Sequence, residues 1–211
     1  MSTKLYFSPG ACSLASHIAL EESGIPYETQ KVSTADGDNK KPEYLKINPR
    51  GKVPTLVVDG HVLTENVGIM SYVAGGNPKA GIWPKETWDQ AKLLSSMAWL
   101  SNTVHPAFGR YFRAERFAAT PEGVAEVKAN ARATYESCLK EIDTLLEGRK
   151  WSIGNHYTVL DSYLLVFYRW GNRTKIGDVK SLKNYSALMD RVLARPAVRK
   201  VMADEGITLD K

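Results

Sequence analysis

Two cysteines stand in the 211 residues, Cys12 and Cys138, in unlike settings. Cys12 belongs to Ser8-Pro9-Gly10-Ala11-Cys12-Ser13-Leu14, a turn-forming run between a β-type stretch and a helical one. That placement puts the thiol at a helix entrance, where the positive end of the helix favours thiolate, the reactive form. On spacing alone a lone cysteine is more often an inert small apolar residue, so the turn must be read with its surroundings. Ala15 stands three residues on, which excludes a Cys-x-x-Cys dithiol cycle. Two distant cysteines also suit neither a disulfide framework nor a zinc site, and no metal is expected.

A second motif is Asn48-Pro49-Arg50-Gly51-Lys52-Val53-Pro54-Thr55-Leu56. An X-Pro bond is where a cis peptide costs little, about 0.5–1 kcal/mol. A cis bond before Pro54 would turn the amide and carbonyl of Val53 toward a cleft, where an extended peptide pairs as an added strand. An ordinary loop with a trans proline fits the same residues. A third motif, Leu63-Thr64-Glu65-Asn66-Val67-Gly68-Ile69, reads as a strand ending at a helix start, whose unpaired amides attract anions. Glu65 adds a carboxylate for an ammonium and Asn66 an amide for a carboxylate, which together suit an amino-acid end group. Taken alone, plain capping through Thr64 and Glu65 explains the run better.

Two kinds of structure must position these residues. Residues 4–7, 27–32, 55–58 and 61–63 read as strands, and 13–22 and 66–74 as helices, in the order βαβ, a helix-bearing loop, then ββα. Asp59-Gly60 is a two-residue hairpin signal, so the last two strands are expected to be antiparallel in a mixed four-stranded sheet. From Trp88 onward only helical spacing remains, through 88–117, 121–148, 159–171, 182–194 and 196–205. Helix breakers from Gly75 to Gly81, then Trp83-Pro84, mark a joint. The expected division is an α/β domain over 1–78, a linker over 79–87 and an all-α domain over 88–211; the length supports two cores. Thr120-Pro121-Glu122 and Thr158-Val-Leu-Asp161 read as helix caps, while Ser162 occupies the place of a hydrophobic staple partner.

The net charge of +5 comes from 28 basic and 23 acidic residues scattered among one another. Without an aromatic-interleaved basic tract, nucleic acid is not an expected partner, and a small anionic substrate accounts for the balance equally well. No apolar stretch approaches the ~20 residues that span a bilayer, so no membrane role is expected. Leu5-Tyr6-Phe7 is cut off by Ser8-Pro9-Gly10 too early for a signal-peptide core, and the expected compartment is the cytoplasm.

The three motifs, in this order and followed by a helical half, resemble the glutathione transferase superfamily over nearly the whole chain. Pro9-Gly10-Ala11-Cys12-Ser13-Leu14 followed by Ser16-His17-Ile18 is similar to the bacterial beta class, in which cysteine takes the place of tyrosine or serine. Asn48-Pro49 with Gly51 and Val53-Pro54, and Glu65 with Val67 and Ile69, match superfamily signatures; Gly154-Asn-His-Tyr-Thr158-Val-Leu-Asp161 resembles the family's structural capping motif. The resemblance implies a thioredoxin-like N-terminal domain, an all-α C-terminal domain and glutathione as co-substrate. It implies that Cys12, Ser13 and His105 surround the sulfur and that Val53, beside a cis Pro54, pairs with the cysteinyl backbone. Glu65 and Asn66 would then hold the γ-glutamyl end, and the helix face bearing Asn102 and His105 would meet the same site. Many relatives have serine where Asn66 stands, and the beta-class lysine is missing from residues 34–39, so Lys52, then Lys41, is expected to meet the glycyl carboxylate. His105-Pro106 fits a substrate-facing histidine and, with equal weight, a histidine that merely breaks an apolar face.

Phe108, Tyr111 and Trp170 are candidate walls for an apolar electrophile, although aromatic residues at helical spacing are usually core. The implied activity is conjugation of glutathione to small apolar electrophiles, a detoxifying reaction. It is expected to be weak and accompanied by thiol–disulfide exchange through Cys12. The alternative is a non-catalytic protein that binds glutathione or an apolar ligand on the same fold. Family members are usually homodimers, which is carried over as implied.

Overall fold

The computed structural model describes residues 2–210. Four strands form one mixed sheet, β1 (Thr3–Phe7), β2 (Glu28–Lys31), β3 (Thr55–Val58) and β4 (His61–Thr64), in the order β2-β1-β3-β4. β1 runs parallel to β2 and antiparallel to β3, and β3 and β4 form the hairpin expected at Asp59-Gly60. Alternation along β1 buries Leu5 and Phe7 on one face, as a strand with one core side requires. β2 is exposed throughout, and its Glu-Thr-Gln-Lys sequence blunts the free edge.

Nine α-helices accompany the sheet among the described residues. They are α1 (Ser13–Ser23), α2 (Pro42–Leu45), α3 (Asn66–Met70), α4 (Thr87–Trp99), α5 (His105–Phe112), α6 (Pro121–Leu145), α7 (Val159–Thr174), α8 (Lys183–Leu193) and α9 (Pro196–Asp204). α1 has no polar face: Leu14, Ala15, Ile18 and Ala19 are fully buried, and so are Ser13 and Ser16. It is covered on both sides, by the sheet and by α7 and α9. α7 is buried from Val159 to Asn172 and forms the axis of the helical region. Two tyrosines anchor its backbone from outside: Tyr135 donates to Phe167 O at 2.7 Å and Tyr185 to Leu164 O at 2.6 Å.

The caps read from the sequence are present. Thr120 Oγ1 accepts from Gly123 N–H at 3.1 Å ahead of α6. The buried Asp161 carboxylate accepts from Thr158 N–H at 2.7 Å and from Ser152 N–H at 2.9 Å, which joins the start of α7 to the preceding loop. Ser162 turns its hydroxyl back to Val159 O at 2.8 Å.

The single helix expected over 88–117 differs in the structure. α4 passes through a wide π-type turn, Leu100–Val104, into α5, which stops at Phe112 before a 3-10 turn at Ala114–Arg116. Pro106 supplies the physical reason for the wide turn: it has no N–H for the carbonyl of Asn102, and its ring collides with that carbonyl in a regular α-turn. No helix among the described residues is long and apolar enough to cross a membrane.

Candidate active site

β1 runs into the turn at residues 8–12, and Cys12 is the N-cap residue of α1. Gly10 takes φ +66°, a left-handed conformation that glycine adopts without a steric penalty. Ser13 is fully buried, and its hydroxyl serves the turn: it accepts from Ser8 N–H at 3.1 Å and donates to Ser8 O at 3.2 Å.

The turn is also gripped by the end of the chain. Gly10 N–H donates to Glu205 Oε2 at 2.8 Å, and Gly10 O accepts from Trp170 Nε1–H at 2.9 Å and Arg169 Nη1 at 3.2 Å. The second oxygen of Glu205 lies 2.9 Å from His17 Nδ1, with both side chains sealed from solvent. A Cβ at position 10 would lie 2.5 Å from Arg169 Nη1, so glycine is needed there for space as well as for its dihedral. Arg169, Glu205 and the role of His17 were not visible in the sequence, because Arg169 and Glu205 meet the turn from 159 and 195 positions away and His17 meets Glu205 from 188 away, with no local spacing signal.

Facing the turn, the Val53–Pro54 bond is cis, and the Cys12 thiol donates to Val53 O at 3.5 Å. Asn48 Nδ2 donates to Lys52 O and to Thr55 Oγ1, each at 2.9 Å, which pins the loop on both sides of Val53. Lys52 itself is exposed, and its ammonium lowers the pKa of both Cys12 and His105. Lys41 is paired with Asp38 at 2.6 Å, which leaves Lys52 the freer of the two candidate cations.

At the start of α3, Glu65 holds φ 69° and ψ 131°, a region where a non-glycine residue costs about 1–3 kcal/mol. Its carboxylate is exposed and 3.6 Å from Arg50 Nη1. Asn66 points the other way. It is 6% exposed, donates from Nδ2 to Cys12 O at 3.0 Å and accepts from Ser16 Oγ at 2.6 Å. The side chain expected at a γ-glutamyl carboxylate thus ties α3 to the Cys12 turn, and only the main-chain amide of residue 66 is left for an anion.

The thiol departs from the sequence expectation. A helix entrance favours thiolate, yet burial pushes the Cys12 pKa up to about 11, against the opposing pull of the Asn66 amide. Cys12 is a neutral thiol donor at neutral pH. Burial acts on His105 in the other sense and brings its pKa down to about 4, with Lys52 adding to the effect, so the imidazole is neutral. His105 packs edge-on against Trp170 and Phe167, with ring centroids 5.1 and 6.3 Å away. Asn102 is exposed in the wide turn just before it.

Trp170 in turn stacks on Phe108 at 4.5 Å, and Phe108 on Phe112 at 5.6 Å, which makes one continuous aromatic wall from His105 outward. Trp170 and Phe108 are buried parts of that wall, Tyr111 is half-buried against the core, and Phe112 is exposed. Tyr163, which sequence reasoning missed, places its hydroxyl 3.0 Å from Ser101 Oγ, and its ionisation is disfavoured by burial. A surface cavity lined by His17, Glu21, Tyr27, Lys200 and Asp204 lies behind the turn, and none of the residues expected to hold glutathione lines it. No group of three or more metal-ligating side chains is found among the described residues.

A thiol at the end of β1, a cis proline opposite it and a helix start beside both, set against a helical region, define a thioredoxin-like site with an added helical domain. Residues 10–74 match the model of the glutathione S-transferase N-terminal domain, and residues 97–196 match that of its C-terminal domain. A glutathione S-transferase of Xanthomonas campestris pv. campestris is 34% identical over 205 residues, covering 97% of this chain and 99% of the relative. A solved Sulfitobacter glutathione transferase homologue with bound glutathione superposes with a TM-score of 0.90 at 32% identity, covering 98% of this chain and 99% of that one. A beta-class glutathione S-transferase of Sphingomonas chungbukensis superposes with a TM-score of 0.84 at 33% identity, covering 97% and 100%. The chain belongs to the glutathione S-transferase family.

Proposed function

We propose that this chain conjugates glutathione to small apolar electrophiles and that Cys12 acts as a neutral S–H donor to the glutathione sulfur. The observation that carries the reading is the seat of the Cys12 thiol, 3.5 Å from Val53 O beside cis Pro54, with Asn66 joining Cys12 O to the start of α3; its single proton turns from Val53 O to the sulfur when the tripeptide binds. In the proposed complex the tripeptide pairs with Val53, its γ-glutamyl end meets Glu65 and the residue 66 amide, and its glycyl carboxylate meets Lys52. Asn102 approaches from the helical side, and Ser13 acts through the turn that it holds. The sulfur, once deprotonated to solvent, attacks the electrophilic carbon; a C–S bond forms and the leaving group departs with its electron pair. His105, neutral at pH 7, hydrogen-bonds the thiol, and Phe108, Tyr111 and Trp170 frame the electrophile from the wall behind it.

The high thiol pKa favours conjugation over thiol–disulfide exchange, because exchange needs Cys12 as thiolate. We further infer a cytoplasmic homodimer, with an α/β domain to about residue 78 and the helical domain from about residue 88. Val62 and Tyr72 on one domain and Trp88 and Leu94 on the other are exposed large apolar residues, which supports contact between copies.

The test is turnover of 1-chloro-2,4-dinitrobenzene with glutathione, alongside intact-protein mass after exposure to oxidised glutathione. Thioether formation is expected, with kcat/KM lowered about threefold to tenfold in Cys12→Ala, the scale of one hydrogen bond. A glutathione adduct on Cys12 with no turnover would favour exchange instead. Retention on immobilised glutathione with neither reaction would make the chain a binding protein.

A further inference from the structure

Within the motif at residues 48–56, the turn that carries Val53 also carries Arg50. Its backbone is fixed by one side chain: Arg50 N–H donates to Asn48 Oδ1 at 3.1 Å, while Asn48 Nδ2 donates to Lys52 O, the carbonyl just before Val53. Gly51 N–H closes the turn on Asn48 O at 2.9 Å. Gly51 holds φ +57°, and a Cβ there would lie 2.8 Å from Asn39 O, so the turn is pressed against the neighbouring segment.

From this fixed turn the guanidinium reaches the start of α3. Arg50 Nη1 donates to Thr64 Oγ1 at 3.4 Å and stands 3.6 Å from Glu65 Oε1. A tight guanidinium–carboxylate hydrogen bond measures about 2.7–2.9 Å, so the ion pair is slack. The two side chains are 69% and 70% exposed, and an ion pair of that kind parts easily. One charge of each sign therefore stands at the place proposed for an end group that carries an ammonium and a carboxylate on one carbon. The carboxylate lacks the side chain expected for it, because Asn66 uses its amide on Cys12 O and Ser16 Oγ. Lys52 is the cation proposed for the other end of the tripeptide.

We propose that Arg50 binds the α-carboxylate of the γ-glutamyl residue, so that this end of glutathione enters between Arg50 and Glu65 with each of its charges facing the opposite one. The proposal rests on the transferase reading and adds a specificity residue to its glutathione side. In the free chain the two side chains neutralise each other. On binding, the ammonium replaces the guanidinium at Glu65 and the guanidinium turns to the carboxylate, whose two oxygens match its fork. One ion contact becomes two, and a peptide that lacks either charge forfeits one of them.

The experiment is titration calorimetry with glutathione and with 4-aminobutanoyl-Cys-Gly, which is glutathione without the α-carboxylate. The wild-type chain is expected to bind glutathione more tightly, a comparison that needs no variant to fold. Arg50→Gln should weaken glutathione about fivefold. It should leave the 4-aminobutanoyl peptide no weaker, since that peptide has no carboxylate to lose and Glu65 is freed for its ammonium. Arg50→Lys keeps the charge without the fork and should recover part of the loss. Equal wild-type affinity for the two peptides, or an equal loss of both in Arg50→Gln, overturns the role of Arg50 alone. So does tighter binding of glutathione by Arg50→Gln, which would make Arg50 a competitor for Glu65. Binding of neither peptide by the wild-type chain overturns the proposal together with the transferase reading.

Discussion

The turn at residues 8–12 and the rim at residues 105–117 are built in opposite ways. Gly10 is held at both its amide and its carbonyl by buried groups from α7 and from the segment after α9, and Cys12 is tied through its carbonyl and its sulfur. The rim has a buried inner half, Phe108 against Trp170, and an outer half of exposed rings, Phe112 and Phe117. In the proposed reading, rigidity lies where an invariant tripeptide must be placed and latitude where the partner molecule varies.

Breaking the rigid side should have the largest effect. Glu205→Ala leaves Gly10 N–H and His17 without their buried carboxylate and is expected to cost about 3–5 kcal/mol in urea unfolding. At the exposed end of the rim, Phe112→Ala should cost under about 1 kcal/mol in the same assay. Comparable losses at the two positions would erase the contrast.

An intermediate effect is expected at His105, where the two regions meet. The unfolded imidazole takes up its proton as pH falls through about 6.5, but the folded one resists until about 4, so the unfolded state holds more protons in between. Stability is therefore lost as pH falls from 6.5 toward 4 and changes no further on this account below that. His105→Phe should flatten that slope by about 1–2 kcal/mol in denaturant titrations at pH 7 and pH 4.5, and an unchanged slope would mean the imidazole is not buried as described. The smallest effect sharpens the picture of the turn itself. Alkylation of Cys12 by iodoacetamide should keep accelerating with pH toward about 11, instead of levelling off near neutrality. An early plateau would show that the helix entrance outweighs burial.

The scaffold was largely legible in the sequence because its signals are local. β3 and the Asp59-Gly60 hairpin follow from alternation and turn chemistry, and the Thr158–Asp161 cap from a three-residue spacing. The motif residues around Cys12 were legible for the same reason. What escaped depends on distant atoms. The thiol's ionisation is decided by burial at the junction of three segments, which outweighs the helix entrance read from the sequence. Asn66 was read as facing a ligand, and its inward turn depends on Ser16 and the Cys12 carbonyl, 50 and 54 residues away. The break at Leu100–Val104 was half-legible, since Pro106 was in view but the width of the turn that absorbs it was not.

The grip of Glu205 on Gly10 also sets a clock. Those two groups are separated by 195 positions, and Arg169 Nε reaches in the same direction to Thr208 O at 2.7 Å. A ribosome making this chain releases the thiol turn 195 residues ahead of its clasp. Sheet and α1 can gather early, but Gly10 acquires its full set of partners only after residues 205–208 have left the exit tunnel. A nascent chain stalled before that point carries the Cys12, Val53-Pro54 and Glu65 motifs with the turn unclasped.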